Sequence, residues 1–130
     1  PLVSGKTCLT QGIGRGWGVT QQMVSPSFVL VREYVRPEDD LKLFHVDLYR
    51  ISDAEEAFQL ELDDILGGPL TVTVIEWADR AESLMPAGHL WIALDYVERA
   101  EATKRHLCFS GHGERHEDLL REFRRVAFGA

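Results

Sequence analysis

Cysteine is scarce in this chain: Cys8 and Cys108 are the only two in 130 residues. They stand far apart and outside any C-x-x-C or Cys/His ligand spacing, which removes a disulfide scaffold and a structural zinc site as organising features. Free thiols in a reducing cytoplasm are the expectation. Long hydrophobic runs are also absent. Nothing approaches the ~18 apolar residues of a membrane span, and no charged-then-apolar leader is present, so neither a membrane nor export is expected. Basic residues are in deficit, 14 Lys and Arg against 21 Asp and Glu, for a net charge of -7. A protein whose main surface grips nucleic acid normally carries a basic face, so that class is disfavoured. An acidic subunit of a complex whose other members hold the nucleic acid stays open. Repeats, low-complexity stretches and linkers are missing too. With 45% hydrophobic and 27% charged residues, the chain reads as one globular domain over 1–130 with a core of its own.

What is present begins at the first residues. Ser4-Gly5-Lys6-Thr7 runs directly into the helix-like stretch Cys8-Leu9-Thr10-Gln11. Gly-Lys-Thr opening a helix is the second half of a phosphate-binding P-loop, G-x-x-x-x-G-K-[ST]. Amide N–H groups and the dipole at a helix N-terminus favour an anion, and glycine lets the backbone come close. Lys6 would neutralise β- and γ-phosphates, and the Thr7 hydroxyl would ligate Mg²⁺. Half a motif also fits a glycine-flanked helix start with no ligand. The motif's first glycine would fall one position upstream of Pro1, so that glycine and the strand a P-loop requires are expected outside this sequence.

From Gly5 to about Arg15 the pattern is helical, with Leu9 and Ile13 on one face. Gly12, Gly14, Gly16 and Gly18 are expected to break it. No G-x-G-x-x-G fits them, since Trp17 and Val19 occupy the positions of the third glycine. Phe28–Val35 and Leu41–Val46 read as strands around a polar loop, hence an antiparallel hairpin. Ser52 and Glu55 form a capping box for a helix to about Leu60, and a second short helix, Leu62–Leu66, stops at Gly67-Gly68-Pro69. Leu70–Ile75 is a continuous apolar and β-branched run, predicted to be buried on both faces. A short helical piece at Ala78–Leu84 follows, then strands at Leu90–Val97 and Arg105–Phe109. The last helix, Glu114 to about Val126, should turn Leu119, Leu120, Phe123 and Val126 inward. The fold class is α/β, with a three-layer P-loop NTPase-like architecture and a mixed central sheet that includes the hairpin.

A P-loop needs an acid at the end of a neighbouring hydrophobic strand, the Walker B element. Two places fit: Glu76 after Val72-Thr73-Val74-Ile75, and Asp47 after Leu43-Phe44-His45-Val46. Either could instead be a solvated loop acid. Asp64-Ile65-Leu66-Gly67 matches the GTPase pattern D-x-x-G but sits on a helical segment, and no N-K-x-D occurs, so ATP is favoured over GTP. His45 reads as packing or a local hydrogen bond. His106, His112 and His116 read as surface residues, and the lack of G-x-S-x-G leaves a serine hydrolase unsupported.

Ser4-Gly5-Lys6-Thr7, Ser25-Pro26-Ser27-Phe28, His45-Val46-Asp47-Leu48-Tyr49-Arg50 and Ile75-Glu76-Trp77 occur in this order. Together they resemble the TsaE family, small P-loop ATPases of bacterial tRNA threonylcarbamoyladenosine synthesis, and the resemblance covers essentially the whole chain. It implies ATP and Mg²⁺ as cofactors. Ser4, Gly5, Lys6, Thr7 and Cys8 would line the phosphates, with Ser27 as a switch-like hydroxyl near the γ-phosphate and metal. Thr7, Asp47 and Glu76 would hold the metal, and Glu76, Asp47 and Lys6 would carry catalysis. Tyr49, Arg50 and Trp77 are motif residues, with packing for Trp77 and a salt bridge to Asp47 for Arg50 as the plain alternatives. Cys8 stands where a second Thr is more usual, and Ala78 where a Pro is. The implied function is an ATP-hydrolysing accessory subunit that docks on a TsaB–TsaD heterodimer and meets tRNA only indirectly. A small-molecule kinase is a rival reading, disfavoured by the acidic stretch 53–64 where an Arg-rich lid would be needed. An ATP-dependent interaction module with incidental hydrolysis is the other. Arg121, Arg124 and Arg125 cluster on the last helix and read as a solvated face.

Overall fold

The structure, a computed structural model, describes residues 5–23, 31–39, 41–51, 65, 66, 68, 70–96 and 104–129. It divides into two compact units, one spanning Lys6–Met85 and the other running from Pro86 onward together with Gly5.

In the first unit, helix α1 (Lys6–Trp17) precedes strands β1 (Val31–Val35), β2 (Lys42–Asp47) and β3 (Thr71–Glu76) and a short 3-10 helix, Ala78–Leu84. The sheet order is β1-β2-β3. β1 and β2 form the expected antiparallel hairpin, and β2 and β3 run parallel, with Leu43 opposite Val72, His45 opposite Val74 and Asp47 opposite Glu76. Because side chains alternate along a strand, Leu43, His45 and Asp47 share one face of β2. The other face carries Val46.

Each face has its own core. Val46 packs with Leu48, Ile51 and Ala81, while Leu43 packs with Tyr34, Val19 and Met23 beside Trp17. Leu43, Val46 and Leu48 are fully buried, each contributing about 1.5–3 kcal/mol of transfer free energy. The middle strand therefore loses the polar-out alternation of a one-sided sheet, and His45 is buried with it.

Two expectations change here. The glycines do not break α1 before Gly18, where φ is 123° and the amides of Gly18 and Val19 both bond back to the Gly14 carbonyl. Packing overrides propensity: a Cβ on Gly14 would sit 2.0 Å from Met23 Sδ, so glycine is what allows the chain after α1 to close on the helix. The Arg36 guanidinium then fastens the helix end, stacked 4.5 Å over the Trp17 ring and donating to the Trp17 carbonyl. Strand β3, expected to be buried on both faces, is half-buried along most of its length with Val72 38% exposed. Among the described residues it pairs only with β2. The helices expected at 52–60 and 62–66 lie outside the described residues, except for Ile65 and Leu66, which sit in a turn.

The second unit is an antiparallel pair, β4 (His89–Tyr96) and β5 (Arg105–His112), followed by helix α2 (Glu114–Phe128). β5 continues past the predicted end at Phe109. Gly111 admits the start of α2, since a Cβ there would lie 2.8 Å from the His116 carbonyl oxygen. The predicted inward face of α2 is only partly covered. Phe123 packs against Phe109, ring centroids 5.4 Å apart, yet Leu119, Phe123 and Val126 are 52%, 44% and 70% exposed and only Leu120 of the four is half-buried. A two-stranded shelf is too narrow to cover a four-turn helix face. Arg121 and Arg125 pair with Asp118 and Glu122 one turn back.

Candidate functional site

The first unit brings its polar residues to one edge. Parallel pairing ends β2 and β3 at the same level, so Asp47 and Glu76 stand side by side on adjacent strands, about 4.8 Å apart in backbone spacing. Both are buried, at 8% and 6% exposure. One further rung holds the ends together, the Leu48 amide donating to the Glu76 carbonyl at 3.0 Å. The Asp47 carboxylate turns back on its own chain and accepts the Tyr49 amide at 2.9 Å, an Asx-type turn that fixes its orientation.

Helix α1 delivers its N-terminus to this edge. The Thr7 hydroxyl donates to Glu76 Oε1 at 2.9 Å. On the other side of the same carboxylate, His45 Nε2 lies 2.5 Å from Oε2. Buried charge is tolerated only when it is paired and hydrogen-bonded, and Glu76 has a partner on each oxygen. Lys6 extends over the next residue: its Nζ is 4.6 Å from the centre of the Trp77 ring, within cation–π range. Tyr49 packs on the same indole at 5.1 Å, and the Arg80 guanidinium lies 5.5 Å from it. Trp77 holds φ 61° and ψ 38°, a left-handed conformation that a bulky residue adopts at a cost of about 1–3 kcal/mol. It is the one non-glycine residue with positive φ among those described.

Of the residues singled out in the sequence, Thr7 and Glu76 touch, Asp47 adjoins Glu76 through the strand register, and Lys6 sits over Trp77. Gly5, just before α1, has φ 109°, a conformation glycine adopts freely. Cys8 is exposed. Ser4 and Ser27 lie outside the described residues. Among the described residues, no group of three or more His, Cys, Asp or Glu could hold a metal ion by itself.

Set beside known proteins, the chain matches the family model described as "Threonylcarbamoyl adenosine biosynthesis protein TsaE" over residues 1–107. The chain belongs to the TsaE family. It is 36% identical over 124 residues to the tRNA threonylcarbamoyladenosine biosynthesis protein TsaE of Bacillus subtilis, a match covering 95% of this chain and 73% of that protein. The TsaE protein of Streptomyces coelicolor is 36% identical over 116 residues, covering 88% and 77%. Against the Synechocystis TsaE protein the match is 41% identical but spans only 53% of that relative's length. Among solved structures, Bacillus subtilis YdiB superposes with a TM-score of 0.74 at 31% identity, over 98% of this chain and 74% of that one. The mixed α/β fold, with its small mixed sheet and antiparallel hairpin, is the fold of that structure.

His45, expected to serve packing or a local hydrogen bond, is fully buried and hydrogen-bonded, but its partner is not local. Its alternation with Asp47 on β2 places both on the face that α1 approaches, and that was the available signal. The partner, Glu76, is 31 residues away and comes within reach only through the parallel register.

Proposed function

We propose that this TsaE-family chain hydrolyses ATP with Mg²⁺ as an accessory protein of tRNA threonylcarbamoyladenosine biosynthesis, acting on a TsaB–TsaD complex without itself transferring the threonylcarbamoyl group. The fold in which it would do so is a single three-layer P-loop domain over 1–130, with Gly5, Lys6, Thr7 and Cys8 opening the helix against the phosphates and Ser4 and Ser27 as flanking hydroxyls. The observation that carries the reading is the 2.9 Å hydrogen bond from Thr7 to Glu76. It joins the hydroxyl of the Gly-Lys-Thr segment to an acid at the end of a parallel strand, the pairing a nucleotide-hydrolysing site requires.

The donor set suits magnesium. Thr7 gives its only proton to Glu76, which leaves its oxygen lone pairs for a cation, and Asp47 and Glu76 add hard carboxylate oxygens at the same edge. Mg²⁺ takes one or two carboxylates and completes its shell with phosphate oxygens and water. When bound, it would neutralise charge developing on the phosphates. The protein's own residues do the remainder. Lys6 exchanges the Trp77 face for phosphate oxygens, Asp47 is held in place by the Tyr49 amide, and Glu76 orients the attacking water. Catalysis of this kind is positioning plus electrostatic stabilisation.

The test is ATP turnover by the full-length protein. Glu76→Ala and Lys6→Ala are each expected to lower it by ~10²–10³, the scale of losing one preorganised electrostatic group. Unchanged turnover in Glu76→Ala refutes the assignment of that acid.

A further inference from the structure

His45 has no role in the scheme above, yet it is the most deeply placed polar side chain near the site, with 0% exposure. Its Nε2 meets Glu76 Oε2 at 2.5 Å, while Nδ1 is buried with no hydrogen-bond partner among the described residues. A residue serving only to fill space here would be apolar, since an imidazole brings a polar nitrogen into the buried face it shares with Leu43. The arrangement also selects the tautomer. A proton on Nε2 faces the carboxylate, whereas a proton on Nδ1 would be a buried donor without an acceptor, the costlier of the two.

We propose that His45 is a positioning residue for Glu76: by donating from Nε2 to Oε2 it fixes the plane of the carboxylate and commits the other oxygen, Oε1, to the side where Thr7 stands. The inference rests on reading Glu76 as the acid of an ATP-hydrolysing site. The geometry behind it is the parallel register, which sets His45 opposite Val74 and therefore diagonal to Glu76 on the same face. Thr7 alone would hold one oxygen and leave the carboxylate free to rotate about the bond to its side chain. Two partners from two different elements remove that rotation. Groups that orient a metal or water ligand in this way typically account for about tenfold to hundredfold in activity.

Gln and Asn separate positioning from packing, because a Gln amide nitrogen falls where Nε2 was and an Asn amide nitrogen falls where Nδ1 was. In the full-length protein, His45→Asn is expected to lower kcat for ATP about tenfold to hundredfold, with KM changed by no more than about twofold. His45→Gln is expected to recover most of kcat. A second readout uses protein free of metal and nucleotide. The ¹⁵N spectrum of His45 should show a protonated Nε2, and the Nε2 resonance should move in Glu76→Ala. Equal kcat in folded His45→Asn and His45→Gln, beside a Glu76→Ala that has lost turnover, overturns the inference and leaves the proposed function standing. Unchanged turnover in Glu76→Ala overturns both. If His45→Asn does not fold, an Nε2 that carries no proton, or an Nε2 resonance indifferent to Glu76→Ala, overturns the inference alone.

Discussion

Two glycines of α1 should respond to the same substitution with opposite signs. An alanine in a helix is favoured over glycine by about 1 kcal/mol, through the entropy of the unfolded chain. At Gly16 nothing among the described residues lies within 4 Å of the added Cβ, so Gly16→Ala should raise stability by most of that amount. At Gly14 the Cβ would arrive 2.0 Å from Met23 Sδ and 3.3 Å from its Cε. Met23 is itself 4% exposed and packed among Val19, Tyr34 and Leu43, so it has little room to yield. Overpacking of this kind costs about 1–3 kcal/mol, which cancels or exceeds the helix gain. Gly14→Ala should thus end between neutral and ~2 kcal/mol destabilised. Urea unfolding measures the difference: with a slope of roughly 1–3 kcal/mol per molar, the two midpoints should separate by about 1 M. In a Met23→Ala background, where the clash is gone, Gly14→Ala should become stabilising. If it raises the midpoint as much as Gly16→Ala in the unmodified protein, the close approach of the chain to α1 is wrong. The matter reaches beyond stability, because α1 carries Lys6 and Thr7.

Burial, reinforced by the charges of Arg115 and His89, holds the His116 imidazole below its ordinary pKa, about 6.5. The unfolded chain then takes up the proton first, so this contribution is intact above about pH 6.5 and declines as pH falls below it. His116→Gln should flatten that part of the urea-midpoint profile between pH 8 and 5.5, and an identical profile in the variant would refute the assignment. Direct binding of tRNA by the isolated protein should be weak, since a net charge of -7 repels a polyanion and Arg121 and Arg125 are already paired with acids. Tight, salt-sensitive binding in a filter or gel-shift assay would contradict this.

The hairpin was legible because its two strands are neighbours in sequence and their β-branched residues bracket a polar turn. Glu76 and Asp47 were legible as acids at strand ends, from the apolar run before each. Their side-by-side placement was not, because it depends on β2 and β3 pairing in parallel across a long separation, and no local period encodes that. The same gap hid the His45–Glu76 contact. On α2 the periodicity marks an apolar face but does not bury it: Leu119, Phe123 and Val126, expected inward, are exposed, because a helical period says nothing of how wide a surface will meet it. In α1 the glycines carried a real local cost, and the deciding fact, Met23 seated against Gly14, lies outside the helix altogether.

The short span after β2 amounts to a pair of native reporters. The Leu48 amide is tied to the Glu76 backbone carbonyl, and the next amide, Tyr49, to the Asp47 side chain. Hydrogen–deuterium exchange at Leu48 therefore reads whether the two strand ends stay joined. Exchange at Tyr49 reads whether the Asp47 carboxylate is still turned toward its own chain. A ligand that draws Asp47 away would release Tyr49 while Leu48 stayed protected, so two adjacent amides separate a response of the acid from a loosening of the sheet, with no label introduced into the protein.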